Sequence, residues 1–221
     1  MARNPNPLGE PVRALLEGVR TVLLDFDGVI ADTEVHQLAA YRQVLAGYGV
    51  PLDAEAFKSY MGRSEAEIYA LLRRTHGLDL DIEVATAQRL SLFFAGVRDS
   101  GLQPHAFVQP LLVDLRQRQV PAHIVSSNVT ATIERLLQTW RLDALIDGIF
   151  SVGDAGARLS KLELLTALPG RLGVSAAQIA VFEDSAQVIA AAREAGMRTV
   201  GVHHSLNRTT PLGAHVEFDA M

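Results

Sequence analysis

The chain has 221 residues, 48% of them hydrophobic and 20% charged, with a formal net charge of −5 and no cysteine. The missing cysteines exclude disulfides and thiolate chemistry, and no apolar run reaches membrane-spanning length. The acidic balance argues against non-specific attraction to nucleic acid or to an anionic membrane surface, although a bound cation can reverse the sign locally for a small anionic substrate.

The opening segment MARNPNPLGEPVRALLEG puts prolines and charges where a signal peptide needs an apolar stretch, so a cytoplasmic protein is expected, monomeric or a weak homodimer. Residues up to about Pro11 read as a loose tail, and residues 12–19 as a short helix. Val22, Leu23 and Leu24 form a short apolar run bounded by Gly28, which fits a buried strand ending in Asp25. From Glu34 to Gly101 the pattern changes: helical periods recur at 38–45, 68–72 and 84–97, with no convincing buried strand between them. This stretch reads as a helical insertion after the first strand.

Strand and helix then alternate. Leu111, Leu112 and Leu115 mark a helix, and residues 122–125 mark a second strand, following Pro121 and ending in Ser126. Ile133, Leu136 and Leu137 mark the next helix, with Thr130 as its expected N-cap. Leu162, Leu165 and Leu168 precede a third strand at 179–182, which ends in Glu183 and Asp184. A helix through Val188, Ile189, Ala192 and Ala195 stops at Gly196, and a fourth strand covers 199–202. Such alternation predicts an α/β fold, a mainly parallel sheet with helices on both faces.

The polar residues fall at the strand ends. Asp25, Ser126 and the pair Glu183-Asp184 each follow an apolar run, and parallel sheets bind ligands at the carboxyl ends of their strands. Asp25 and Asp27 are two apart, so both carboxylates face one side while Phe26 faces the other. Adjacent carboxylates repel unless a cation joins them. With Asp184 they make an oxygen-rich nest suited to Mg²⁺. A carboxylate can approach a phosphoryl group only where charge is neutralised, which the metal, Lys161 and backbone donors near Ser126 can supply. A calcium loop does not fit, because Gly28 comes too early and His36 stands where the closing Glu belongs.

Four strings carry a family resemblance: LLDFDGVIADTE (23–34), HIVSSN (123–128), SKLELL (160–165) and IAVFEDSAQVIAAAREAGM (179–197). In these the chain resembles the haloacid dehalogenase superfamily, in the branch of β-phosphoglucomutase and small-metabolite phosphatases. The resemblance implies a Rossmann-like core, 1–33 with 102–221, and an inserted helical cap, 34–101. It implies Asp25 as nucleophile and Asp27 as the acid that protonates the leaving group and then activates water. It further implies that Ser126, Ser127, Asn128 and Gly28 hold the phosphoryl group, that Lys161 pairs with it, and that Asp25, Asp27, Asp184 and Glu183 hold Mg²⁺, Asp27 through its main-chain carbonyl.

The string MGRSEAE (61–67) resembles the loop by which the cap reaches the site, which gives Arg63 a second anionic group to contact and Ser64 a helix to cap. His36 stands one residue before the family's usual histidine, whose place Gln37 takes; it is carried as a candidate phosphate contact. Three other features have simpler explanations. Lys58 reads as a surface lysine, Arg73-Arg74 as a solvated helix face, and His203-His204 as neighbours pointing opposite ways along a strand rather than a metal pair. The expectation is a Mg²⁺-dependent phosphatase of a small phosphorylated metabolite, with a sugar phosphomutase or a non-catalytic metabolite-binding regulator as alternatives. Glu65, where the mutase offers an arginine, favours hydrolysis.

Overall fold

The computed structural model describes residues 8–60, 63, 65–154 and 159–220. Met61, Gly62 and Ser64, and with them the expected Ser64 cap, lie outside the described residues. In chain order the elements are α1 (Glu10–Leu15), β1 (Thr21–Leu24), α2 (Glu34–Ala46), α3 (Ala54–Lys58), α4 (Glu65–His76), α5 (Ile82–Ser100) and α6 (Val108–Gln117). They continue with β2 (Ala122–Ser126), α7 (Thr130–Thr139), β3 (Gly148–Ser151), α8 (Lys161–Leu172), β4 (Ile179–Glu183), α9 (Ala186–Glu194), β5 (Arg198–His203) and β6 (Val216–Asp219).

The strands pair in parallel throughout, in the order β3-β2-β1-β4-β5-β6. β1 and β4 are buried along their whole length, as strands covered on both faces must be. Alternation along β1 sends Val22 and Leu24 into a core with α1, α6 and α7, and Leu23 into a second core with α8 and α9.

Two strands escape the sequence pattern. β3 is half-buried at every position, and β6 alternates between half-buried and exposed. Both lie at sheet edges, where one side lacks a neighbour and no continuous apolar run is required. The N-terminal reading also changes. The helix starts at Glu10 because Pro11 presets the first turn, and Leu8 is core, only 1% exposed, rather than tail. Thr130 does not cap α7. Val129 holds the cap position, and Asp154, after β3, accepts from the Thr130 N–H at 2.8 Å and from its hydroxyl at 2.6 Å.

Between β1 and α6, helices α2 to α5 enclose an apolar cluster of their own, with Tyr41, Phe57, Tyr60 and Tyr69 at its centre. Phe93 and Val97 of α5 reach instead into the core beneath the sheet, tying the two clusters together. Among the described residues no helix is long and apolar enough to cross a membrane.

Candidate active site

β1 lies between β2 and β4, where the strand order reverses direction, and a crevice opens there at the strand ends. Asp25 occupies that point, 7% exposed. Its N–H donates to Phe182 O at 2.9 Å, which continues the β1–β4 ladder, and the Phe26 N–H donates to Asp25 Oδ1 at 2.8 Å. The chain then folds back, with Ile30 N–H on Phe26 O and Gly28 N–H on Ala31 O, both at 2.9 Å. Asp27 is thereby set beside Asp25, its Oδ1 accepting from the Thr33 hydroxyl at 2.6 Å and its Oδ2 from the Asn128 amide at 3.1 Å.

Lys161 is placed by local sequence. Ser160 and Glu163 form a capping box at the start of α8, which makes Lys161 the first helical residue and turns it inward. Its Nζ lies 2.8 Å from Asp25 Oδ1 and 2.9 Å from Glu183 Oε2, and the residue is only 6% exposed. Glu183 Oε1 also accepts from the N–H groups of Asp184 and Ser185 at 3.3 and 3.2 Å. Asp184 Oδ2 lies 2.9 Å from Nε2 of the fully buried His204, whose other ring nitrogen is 3.5 Å from Asp32. Asn207 clamps this arrangement, accepting from the His204 N–H at 2.7 Å and donating to Asp184 O at 3.0 Å.

One cation thus faces several buried carboxylates. Burial, then the charge of Glu183, push Asp25 up to about 8, with Lys161 pulling the other way. Burial likewise pushes Glu183 up to about 7 against the pull of Lys161. Burial opposes the charged form of His204, but Asp184 and Asp32 outweigh it and push the imidazole up to about 10. Glu34, also buried in the cleft, is held well above the usual carboxylate range by burial and by the charges of Asp27 and Asp184.

Carboxylate oxygens of Asp25, Glu183 and Asp184 lie within 4.8 Å of one another. A donor set of oxygen alone, with excess negative charge, fits a hard divalent cation such as Mg²⁺. The Asp27 carboxylate is outside this group, committed to Thr33 and Asn128, which leaves its main-chain carbonyl for the expected metal contact.

A cleft of about 770 Å³, counted with its open mouth, lies over these residues. Asp25, Asp27, Ser126, Ser127, Asn128, Lys161, Glu183 and Asp184 all line it, and Arg63 stands exposed at its edge. Ser126 Oγ accepts from the Asn128 N–H at 3.0 Å, shaping the loop after β2. Two expected contacts fall elsewhere. His36 precedes Gln37 by one residue, about 100° around α2, and turns away to α5, where Nε2 lies 3.3 Å from Ser100 Oγ. Gln37 faces the cleft in its stead. Gly28 also lies outside the cleft lining. Its N–H is taken by Ala31, and its carbonyl lies 3.2 Å from His105 Nε2. What the site requires there is glycine's backbone: φ is +80°, and a Cβ would come within 2.8 Å of Asp184 Oδ2. His203 and His204 do point apart, the former to Glu217 at 2.9 Å and the latter to Asp184.

Glu34, Tyr41, Arg89 and Gly153 also line the cleft, and the sequence had marked none of them as a site residue. Gly153 lets the loop after β3 pass close to Ser127, where a Cβ would meet the Ser127 carbonyl oxygen and the Asn128 main chain. The upper wall carries Glu34, Gln37, Tyr41, Glu65 and Arg89. Arg89 had a readable signal, since it repeats in steps of four with Ala85, Phe93 and Val97, an arginine on a buried stripe.

Residues 22–202 match the family model of the haloacid dehalogenase-like hydrolases. Among curated proteins, the validoxylamine A 7′-phosphate phosphatase of Streptomyces hygroscopicus subsp. limoneus is 29% identical, over 83% of this chain and 85% of that protein. The fructose-1-phosphate phosphatase of Escherichia coli is 28% identical, over 82% of this chain and 95% of its own length. Among solved structures, CbbY from Rhodobacter sphaeroides with xylulose-(1,5)bisphosphate superposes with a TM-score of 0.78 at 17% identity, covering 90% of this chain and 93% of that one. The β-phosphoglucomutase of Clostridium difficile superposes with a TM-score of 0.74 at 18% identity, covering 91% of both chains. At such identities the superpositions speak for the fold.

Proposed function

The chain belongs to the haloacid dehalogenase-like hydrolases, and from that premise we propose that it hydrolyses the phosphate monoester of a small metabolite through a phosphorylated Asp25. The observation that carries this reading is the pairing of Asp25 with the buried Lys161, 2.8 Å away, beside an oxygen-only cation nest and a second carboxylate held for acid–base work.

Lys161 and the Phe26 N–H both occupy Asp25 Oδ1, which leaves Oδ2 the more nucleophilic oxygen. It attacks phosphorus while the bond from phosphorus to the leaving oxygen breaks, and Asp27 gives its proton to that oxygen. Thr33 and Asn128 fix the Asp27 carboxylate for this transfer. In the second half Asp27 takes a proton from water, the water oxygen bonds to phosphorus, and the Asp25–phosphorus bond opens to release inorganic phosphate. The loop of Ser126, Ser127 and Asn128 borders the space for the phosphoryl oxygens, and Lys161 balances their charge. Mg²⁺ bound by Asp25 and Asp184, with Glu183 beside them, supplies the remaining neutralisation that lets an anion approach a carboxylate. Helices α2 to α5, within residues 34–101, act as the cap over a core of 1–33 and 102–221.

The relatives named for fructose 1-phosphate and for phosphorylated carbohydrates make sugar phosphates the first class to test. Phosphate release should require Mg²⁺ and stop with EDTA. Asp25→Asn should lower turnover by about four orders of magnitude with the fold retained. Beryllium fluoride should add to an Asp25 oxygen. Activity persisting in Asp25→Asn, or an adduct on Ser126, would overturn the chemistry.

A further inference from the structure

Opposite the phosphoryl site, the cleft wall built by α2, α4 and α5 contains an arginine that is already paired with a carboxylate. The Arg89 side chain is 4% exposed. Its Nε donates to Glu65 Oε1 at 2.5 Å, its Nη2 to Glu65 Oε2 at 3.1 Å, and its Nη1 to Gln37 Oε1 at 2.6 Å. The guanidinium carbon lies 5.2 Å from the centroid of the Tyr41 ring. All three guanidinium nitrogens are therefore held, and a two-pronged pair with a carboxylate is the geometry that most completely answers an arginine's charge.

The rest of that wall is not cationic. Glu65 is 19% exposed on the cleft side of the pair. Glu34 lines the same cleft, and among the described residues no lysine or arginine forms an ion pair with it. Arg63, at the mouth, is exposed and gives its Nε to Ser59 O at 2.7 Å, so its charge is screened by water. An anionic group at the far end of a substrate would meet the Glu65 carboxylate and an arginine whose charge that carboxylate already answers, whereas hydroxyl groups would find an acceptor in Glu65 and a donor in the Gln37 amide.

Resting on the phosphatase reading, we propose that this wall selects monophosphates whose far end is neutral and hydroxyl-bearing. Substrates carrying a second phosphate or a carboxylate there are rejected, and Glu65 is the residue that sets the preference by holding Arg89. A burial-driven pair of this kind adds little to stability by itself, but it specifies charge.

The test measures phosphate release with Mg²⁺ on matched pairs: fructose 1-phosphate against fructose 1,6-bisphosphate, and glycerol 3-phosphate against 2-phosphoglycolate. The wild-type protein should favour the singly phosphorylated, hydroxyl-bearing member of each pair in kcat/KM by about tenfold or more. Glu65→Gln keeps an acceptor for Arg89 but removes the charge, and it should shift the ratio about tenfold toward the doubly anionic member, mainly through KM. The wild-type ratio needs no variant, so the proposal is exposed even if Glu65→Gln misfolds. Release that favours the bisphosphate and 2-phosphoglycolate, or a folded Glu65→Gln with an unmoved ratio, overturns this proposal alone. No release from any member overturns the phosphatase reading, and this proposal with it.

Discussion

The floor and the upper wall of the cleft both bury charge, and they balance it in different ways. On the floor, Lys161 is shared between Asp25 and Glu183, with Asp184 close by, so the residues alone leave negative charge in excess. In the upper wall, Arg89 and Glu65 cancel each other and Gln37 takes the remaining arm. An unbalanced cluster is costly until a cation and a phosphate complete it, so it holds binding energy in reserve. A balanced pair asks for nothing further and serves to exclude. The floor is suited to chemistry and the wall to choice.

Breaking the floor should have the largest consequences. Lys161→Met leaves Asp25 and Glu183 buried without their cation and should cost about 3–5 kcal/mol in urea denaturation, besides abolishing turnover. A loss under about 1 kcal/mol would mean that the cluster is not balanced through Lys161. His204→Ala removes the partner that orients Asp184 from behind. It should weaken Mg²⁺ by roughly 10–100-fold, read from calorimetry or from the Mg²⁺ dependence of turnover. An unchanged Mg²⁺ affinity would separate His204 from the site.

The floor should also respond to pH. Asp25 is raised from 3.8 to about 8 and Glu183 from 4.5 to about 7, so the metal-free folded protein holds protons that the unfolded chain releases. Raised carboxylate values mean that stability falls as pH rises from about 4 to 8. His204, raised from 6.5 to about 10, adds a loss in the same direction over its own window. Mg²⁺ competes with those protons, so its affinity should strengthen from pH 6 to 8 and its binding should release protons. Denaturation of the metal-free protein across this range checks the first statement, and calorimetry in buffers of different ionisation enthalpy checks the second. Metal-free stability that rises with pH would contradict the cluster described. The smallest effect belongs to the rim: Arg63→Ala should change KM for a monophosphate by no more than about threefold, the worth of an exposed charge. A larger loss would move anion recognition to the mouth.

Strand ends and short motifs were legible in the chain because their information is local. Each of Asp25, Ser126, Glu183 and Asp184 follows an apolar run, and a parallel sheet brings such ends together whatever its loops do. Lys161 was reached through the resemblance of the SKLELL string, and the capping box that turns it inward, spanning only Ser160 to Glu163, emerged with the structure. The edge strands β3 and β6 were not legible, because a strand with one neighbour needs no continuous apolar signature.

By itself, then, the sequence determined an α/β sheet with a helical insertion and an acidic constellation around Asp25, since periodicity and strand-end polarity survive without knowledge of contacts. Only the tertiary structure decided that His36 faces α5 while Gln37 faces the cleft, a matter of one residue's rotation on α2. It also decided that Gly28 serves by lacking a Cβ against Asp184, and that His204 backs Asp184 across 20 residues of chain. The same holds for the pairing of Arg89 with Glu65, 24 residues apart on different helices. A charge's effect depends on what lies within a few ångströms of it, and that distance belongs to the folded chain.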